Sequence, residues 1–516
     1  MTTLIKSTLS VGSMTLLSRI LGLARDIVIA RFFSAGDAAD AFFVAFKIPN
    51  FLRRLFAEGA FSLAFVPVLS EYRSQYTAAQ TRDLIDRVAG TLGSILLILS
   101  LLGVLASPVL ISIIAAGFID QPEKFDLTAD MLRITFPYIL LISMTAMAAG
   151  ILNTWKHFAV PAFTPVLLNL SMIGCAIWLS PRLEVPVTAL AWGVLLAGIV
   201  QLLFQLPFLY HEGLLPKPTW GWRHKGVQKI IKLMIPALFG SSVAQINLLF
   251  DTFIASFLVS GSVAWLYYSD RLLEFPLGIF GIALATVVLP NLSEAHYRKG
   301  ATHFNQTLQW ALQLALVIAI PATIGLFLLA QPILSTLFQY GEFQINDSLM
   351  ASYSLMAYSL GLPAFILIKI LASGFYARQD TKTPVRIGIQ AMLLNMVLNV
   401  IFVLSMLQND FIAPHVGLAL ATTASAYFNA TMLALTLRKD SIIERFEAFK
   451  LPLLKILMAC AAMSAVIVIL SPQVEPWSQW HWFERVYQLG WLIIPAILCY
   501  TLMLWIMGIR RSHFVL

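Results

Sequence analysis

Charged residues lie inside segments of this chain that are otherwise apolar enough to cross a membrane. The segment SVGSMTLLSRILGLARDIVIARFF, near the start of the chain, contains Arg19, Arg25 and Asp26. A second segment, AFKIPNFLRRLFAEGAF, and a third, YYSDRLLEFPLGIF, show the same combination. A charge at the centre of a membrane helix costs about 2.5–3.5 kcal/mol on insertion scales, so such residues normally face a polar cavity. Most of these charges are cationic, which predicts a cavity that holds an anion.

The composition supports a membrane protein and excludes a soluble globular domain. Of the 516 residues, 59% are hydrophobic and only 12% are charged, which is typical of a polytopic helical protein. Apolar runs of about 20 residues predict an all-α polytopic fold with fourteen transmembrane helices. Lys and Arg concentrate in alternate connections, so the positive-inside rule predicts that both termini are cytoplasmic. This topology accounts for the net charge of +8, and no nucleic-acid partner is expected.

The chain repeats itself with a constant offset. PVLSEYR, from Pro67, recurs as PNLSEAHYR from Pro290, and Pro161 and Pro384 end a second pair of segments with the same separation. An offset of six helices preserves orientation, so the repeats predict two pseudo-symmetric six-helix lobes with a cavity between them, which is a transporter plan. The predicted domains are an N-terminal lobe (1–212), a basic cytoplasmic linker (213–228), a C-terminal lobe (229–438) and a final helix pair (439–516).

Arg19, Arg25 and Arg271 are the candidate ligands for an anion. The planar fork of arginine suits phosphate oxygens, and a diphosphate would favour several arginines. Each residue also has a structural interpretation. Arg19 and Arg25 could form salt bridges between helices, with Arg25 and Asp26 as a local ion pair. Arg271 and Glu274 are three residues apart and could form a pair within one helix.

Two further groups of polar residues have open alternatives. Arg53 and Glu58 could close a gate by pairing across the cavity, or could cap helix ends near the cytoplasmic surface. Lys369 could reach the cavity or extend to the membrane interface. Asp251, Asn395 and Asn399 offer oxygen ligands for a monovalent cation or a proton carrier, or could form a hydrogen-bonded cluster between helices. The sequence has no P-loop, HExxH or GxSxG motif, so neither an enzyme nor a cofactor is expected.

Several segments closely resemble the MurJ (MviN) lipid II flippases, which belong to the multidrug/oligosaccharidyl-lipid/polysaccharide exporter superfamily. They include SRILGLARDIVIARFF, DAFFVAFKIPNFLRRLFAEGAFSLAFVPVLSEY and GFYARQDTKTPV, and the resemblance runs essentially end to end. It implies fourteen helices, with the last pair forming a groove for the lipid tail. It also implies transfer of undecaprenyl-pyrophosphate-linked disaccharide-pentapeptide to the outer leaflet of the bacterial inner membrane by alternating access. Coupling to the membrane potential, Na⁺ or H⁺, and a role in peptidoglycan biosynthesis, cell wall biogenesis and cell shape, are part of this expectation.

The resemblance also implies roles for individual residues. The expected partners are lipid II, membrane lipids and cell-wall synthesis proteins. The residues that match family cavity positions, and are therefore expected to bind substrate, are Ser18, Arg19, Arg25, Asp40, Arg53, Arg271 and Lys369. The expected gate is Arg53 with Glu58 or Asp40. A sodium site proposed for some members of the family would fall on Asp251, Asn395, Asn399 and Thr422.

Three other functions are compatible with a membrane protein but fit this sequence less well. A cation-coupled exporter of drugs would lack the dense arginine set of the first lobe, and an exporter of another polyprenyl-linked glycan would not match the first two segments so closely. A membrane glycosyltransferase or polymerase would need a large periplasmic loop, whereas the predicted connections are short. A scaffold for other wall-synthesis proteins would not require charges in a cavity.

Overall fold

The structure is a computed structural model, and it describes residues 2–54, 60–440, 447–472, 477 and 479–509. All regular secondary structure within these ranges is helical. Lipid offers the backbone no hydrogen-bond partners, whereas a helix satisfies its backbone hydrogen bonds internally. Long apolar segments of this kind therefore fold as helices. The prediction of an all-α membrane protein is confirmed.

The helices fall into two compact units, residues Met1–Val263 and Ala264–Leu516. The helices up to the end of the first unit are α1 (Thr2–Phe33), α2 (Asp37–Leu52), α3 (Ser62–Gln75), α4 (Ala78–Leu105), α5 (Ser107–Ile114), α6 (Pro122–Thr135), α7 (Tyr138–Thr154), α8 (Ala159–Gly174), α9 (Thr188–His211) and α10 (Lys225–Ala255). The helices that follow are α11 (Ser262–Pro276), α12 (Ala283–Glu294), α13 (Ala301–Leu328), α14 (Ala330–Leu337), α15 (Ile345–Ser359), α16 (Leu362–Tyr376), α17 (Lys382–Gln408), α18 (Val416–Lys439), α19 (Glu447–Leu470) and α20 (Trp482–Ile506).

Many of these helices are long and apolar enough to cross a membrane. Eleven helical stretches among the described residues meet that condition by length and composition. The chain is therefore a multi-pass membrane protein. The predicted count of fourteen membrane helices, the lobe boundaries and the orientation of the termini stay predictions.

In the first unit, α1 packs against α8, α2 against α6, and α10 against α3. A buried apolar cluster forms where α3, α4 and α7 meet, and it includes Phe65, Leu69, Leu84 and Ile151. Proline interrupts the hydrogen bonding inside α2, α3 and α10, and such residues bend membrane helices where neighbours can satisfy the freed backbone groups.

In the second unit, the C-terminal pair α19 and α20 packs against α13 through a separate buried cluster. Tyr500 donates a hydrogen bond of 2.6 Å to the carbonyl oxygen of Val317 on α13. Buried Arg485, in the first turn of α20, donates to the carbonyl oxygens of Ser335 (2.7 Å) and Gln339 (2.9 Å) at the end of α14. These contacts fix the final helix pair to the rest of the second unit.

Candidate functional site

Arg25 is the centre of a buried polar network in the first unit. Its Nη2 and Nε atoms donate to Oδ1 of Asp26 at 2.6 and 2.9 Å. Its Nη1 atom donates to Oδ1 of Asn169 on α8 at 3.2 Å, and Asn169 Nδ2 donates to the carbonyl oxygen of Ser18 at 3.0 Å. Arg25 therefore forms the local ion pair that the sequence left open, and it also joins α1 to α8.

Arg19 differs from Arg25 in its surroundings. Its side chain is only partly buried, and no hydrogen bond or ion pair joins it to any part of the chain that the structure describes. The five N–H donors of its guanidinium group are therefore free to bind a ligand. Ser18 contributes its backbone carbonyl to the Arg25 network.

A second buried cluster surrounds Asp40, at the beginning of α2. Asp40 is 1% exposed and Lys124, on α6, is 5% exposed. Lys124 Nζ lies 3.0 Å from Oδ2 of Asp40 and 2.8 Å from Oδ1 of Asp37. The same Lys124 atom lies 4.3 Å from the centre of the Phe118 ring. Two carboxylates and an aromatic face thus compensate this buried ammonium group.

The Asp40 cluster also binds the turn that follows α10. The backbone N–H of Gly261 donates to Oδ2 of Asp40 at 2.8 Å. Gly261 has a φ of +94°, a conformation that favours glycine. Nearby, the N–H of Gly117 donates to Oγ of Ser256 at 3.0 Å. Three chain segments of the first unit, around residues 40, 120 and 260, are therefore held together by buried polar contacts.

Arg53 lies at the other end of α2. Its Nε and Nη2 atoms donate to Oδ1 of Asn50 at 3.0 and 2.7 Å. The helical rise places Asp40 and Arg53 about 20 Å apart along the axis, so the structure does not bring them together, and a gate formed by these two side chains would require the helix to unfold. Glu58, the other predicted gate partner, lies outside the described residues.

The predicted site residues of the second unit are more accessible. Arg271 Nη1 lies 3.0 Å from Oε2 of Glu274, and their side chains are 34% and 44% exposed. This is the pair within one helix that the spacing allows. Lys369 on α16 is exposed, and its side chain has no hydrogen-bond or ion-pair partner among the described residues.

The residues predicted for a sodium site are divided between the two units. In the second unit, Asn395 Nδ2 lies 3.3 Å from Oγ1 of Thr422, and Asn399 Nδ2 donates to Oδ1 of Asn395 at 3.0 Å. Asp251 belongs to the first unit, where Asn247 Nδ2 lies 3.5 Å from its Oδ2 atom. Among the described residues, no group of three or more His, Cys, Asp or Glu side chains is placed to hold a metal ion. The sodium site, which would need only one carboxylate, stays a prediction.

Lys124 and Asn169 are not among the residues predicted from the sequence. Lys124 is the single cation in the acidic segment IDQPEKFDLTAD, and two aspartates in the first turn of α2 were its available partners. Asn169 is an isolated amide in the apolar sequence of α8. An isolated polar residue in an apolar helix is the signal that could have identified Asn169, whereas Lys124, in an acidic segment, gave no such signal.

Long apolar helices, buried ion pairs and accessible cations are the features of a multi-pass helical membrane protein. Comparison with known proteins specifies the class. The family model described as "Lipid II flippase MurJ" matches residues 29–488. The chain is 48% identical to a probable lipid II flippase MurJ of Haemophilus influenzae, over 97% of this chain and 99% of that protein. The chain therefore belongs to the MurJ lipid II flippase family, whose members are transporters and not enzymes.

Solved structures agree with this assignment. A lipid II flippase MurJ in an inward closed conformation matches with a TM-score of 0.79 and 29% identity, over 96% of this chain and 98% of that one. A multidrug resistance MATE family transporter in an inward-facing conformation matches with a TM-score of 0.67 and 16% identity, over 85% of this chain and 99% of that one. The second match shows that this chain shares its fold with that transporter.

Proposed function

We propose that this protein transfers lipid II from the cytoplasmic to the periplasmic leaflet of the bacterial inner membrane, and so serves peptidoglycan biosynthesis. The observation that carries the proposal is the match, over nearly the whole chain, to a protein named as a probable lipid II flippase. Arginines within apolar helices support it, because an undecaprenyl diphosphate carries its negative charge into the membrane region.

The diphosphate is bound by arginines. In the first unit, Arg19 has free donors for phosphate oxygens, and Arg25 lies six residues, or about 1.7 helical turns, further along α1. Because Asp26 already neutralises Arg25, Arg25 exchanges this partner for phosphate only when substrate is present. Bidentate contacts of arginine with phosphate are strong enough to make that exchange feasible. In the second unit, Arg271 and Lys369 are the proposed ligands. In the first unit, Ser18, Asp40 and Arg53 complete the proposed set.

Transport proceeds by alternating access, and the two ends of α2 act in its two steps. The Asp40–Lys124 pair and the Gly261 turn form the closure at the end predicted to face the periplasm. Arg53, with Glu58, serves the end predicted to face the cytoplasm. A ligand shifts such an equilibrium only by its differential affinity for the two states, so the outward-open state must hold the diphosphate less tightly.

The remaining features of the proposal concern energy and partners. The membrane potential acts on the charged residues, at about 2.3 kcal/mol per elementary charge and 100 mV. The alternative is coupling to an ion, either H⁺ or Na⁺. The proposed ligands of Na⁺ are Asp251, Asn395, Asn399 and Thr422. The helix pair α19–α20 provides a groove for the prenyl chain, both termini are cytoplasmic, and cell-wall synthesis proteins receive the lipid.

Growth of cells depleted of their native flippase tests the proposal. The wild-type chain should restore growth, whereas Arg25→Ala and Arg271→Ala should abolish it while membrane insertion stays normal. Arg133→Ala is the matched control, because Arg133 forms an exposed pair with Asp130. Normal growth with either Arg25→Ala or Arg271→Ala as the sole copy would contradict diphosphate binding by that arginine.

A further inference from the structure

The segment that joins α9 to α10 is fixed to the side of α4. The backbone N–H of Lys217 donates to Oδ1 of Asp86 at 2.6 Å, and that of Thr219 donates to the carbonyl oxygen of Asp86 at 3.0 Å. The N–H of Gly221 donates to Oγ1 of Thr91 at 3.0 Å. A side chain at Gly90 would collide with the backbone of Thr219. The segment therefore has a defined position and is not a loose linker.

This fixed segment presents two indole rings to its surroundings. Trp220 and Trp222 are 60% and 46% exposed. Their ring centres lie 6.4 Å apart with an angle of 13° between the planes, so they are stacked. The segment follows α9, a candidate membrane span, and therefore lies close to the membrane surface. Tryptophan is enriched at that depth, where the ring is apolar and its N–H is hydrated.

The surface around the indoles carries an excess of positive charge. Lys217, Arg223 and Lys225 are exposed, and their side chains have no partner among the described residues. Of the acidic side chains nearby, Asp83 pairs with Arg87 and Glu71 pairs with Lys229. Asp86 accepts the backbone N–H of Lys217 and keeps its negative charge, so the three cations still outnumber it.

We infer that this surface, made of Trp220, Trp222, Lys217, Arg223 and Lys225, is a binding site for the headgroup of an anionic phospholipid. The indoles would lie among the upper acyl carbons, and the three cations would contact the phosphate. Juxtamembrane cations attract anionic lipid surfaces at about 1 kcal/mol each, which corresponds to about fivefold in affinity per cation. The site is separate from the proposed transport of lipid II and does not depend on it.

Tryptophan quenching in vesicles tests the inference. The full chain is reconstituted in phosphatidylcholine vesicles that contain increasing fractions of phosphatidylglycerol with brominated acyl chains, which quench nearby indoles. The part of the quenching that Trp220→Phe/Trp222→Phe removes belongs to the site. We expect it to saturate at a low fraction of brominated phosphatidylglycerol, and to require at least about tenfold more lipid in Lys217→Gln/Arg223→Gln/Lys225→Gln.

A matched control removes the same charge elsewhere. Arg298→Gln/Lys382→Gln/Arg386→Gln replaces three exposed cations of the second unit and should leave the saturation point unchanged. Two results would overturn the inference. One is equal quenching by brominated phosphatidylcholine, which would mean that the indoles only rest in the interface. The other is an equal effect of the control variant, which would mean diffuse attraction without a site.

Discussion

The two units of the protein differ in the burial and pairing of the charged residues at the candidate site. In the first unit, Arg25, Asp26, Asp40 and Lys124 are all buried and paired. In the second unit, the predicted site residues Arg271 and Lys369 are half-buried or exposed, and the Asn395 cluster is uncharged.

This difference separates charges that stabilise the fold from charges that a ligand can reach. A buried ion pair is strongly destabilised when one partner is removed, whereas an exposed pair contributes little. The paired charges of the first unit must therefore break existing contacts before they bind a ligand or move, unlike Arg19, whose donors are free. In the second unit, exposed Lys369 needs no such step, and Arg271 has to leave a pair with Glu274 that is partly exposed. Substitutions of the buried pairs in the first unit should affect stability and transport together, and those of Arg271 and Lys369 should affect transport more than stability.

The largest effect on stability is expected at Lys124. Lys124→Met leaves Asp40 buried with the Gly261 N–H but without its counter-ion, which should cost about 3–5 kcal/mol. Thermal unfolding of the purified protein in detergent measures the loss. The control on the same helix is Arg133→Met, whose exposed pair with Asp130 should contribute less than about 1 kcal/mol. Equal losses in the two variants would contradict the distinction between buried and exposed charge.

A smaller loss is expected at Asn169. Asn169→Leu removes the acceptor of Arg25 Nη1 and the donor to the carbonyl oxygen of Ser18, and the loss of these two hydrogen bonds should cost about 1–3 kcal/mol. Asn291→Leu is the control, because Asn291 is exposed and bonds only within its own helix; its effect should stay within about 0.5 kcal/mol. The same unfolding experiment would reject the Arg25 network if Asn169→Leu unfolded like the wild type.

Replacement of Arg271, unlike the two substitutions above, should have little effect on stability. Its pair with Glu274 is more than one-third exposed on average, so Arg271→Ala should change the unfolding free energy by less than about 1 kcal/mol. Arg25→Ala, which leaves Asp26 buried without its cation, should be destabilised by more than that. Side-by-side unfolding of both variants is the measurement, and a larger loss for Arg271→Ala would invert the comparison.

The smallest effect concerns pH, at the turn between α16 and α17. Hydrogen bonds from the Thr383 side chain and from the backbone N–H groups of Thr383 and Lys382 lower the pKa of Asp380. The charged form is favoured by folding, so its contribution is complete above the usual carboxyl pKa and is lost as pH falls through the lowered value. At neutral pH, Asp380→Ala should lose about 0.5–1 kcal/mol. Unfolding measured across an acid series should show this difference shrinking; a constant difference would contradict it.

The sequence predicted the membrane class and the helical fold, because apolar length and charge placement act locally, and the family followed from the resemblance of whole segments. It also identified two candidate ion pairs, Arg25 with Asp26 and Arg271 with Glu274. It could not decide whether these arginines are paired or bind a ligand. Lys124 was beyond reach, since its burial depends on Asp37 and Asp40, which lie more than eighty positions away in the chain. The position of Arg53 relative to Asp40 likewise required knowing that α2 continues between them.

The most direct test of the central claim is the accessibility of lipid II at the outer face of cells depleted of their native flippase. Cells supplied with the wild-type chain should expose lipid II there, and cells supplied with Arg25→Ala, at equal membrane abundance, should not. If the wild-type chain inserted normally and lipid II still stayed on the cytoplasmic side, the proposed substrate would be wrong.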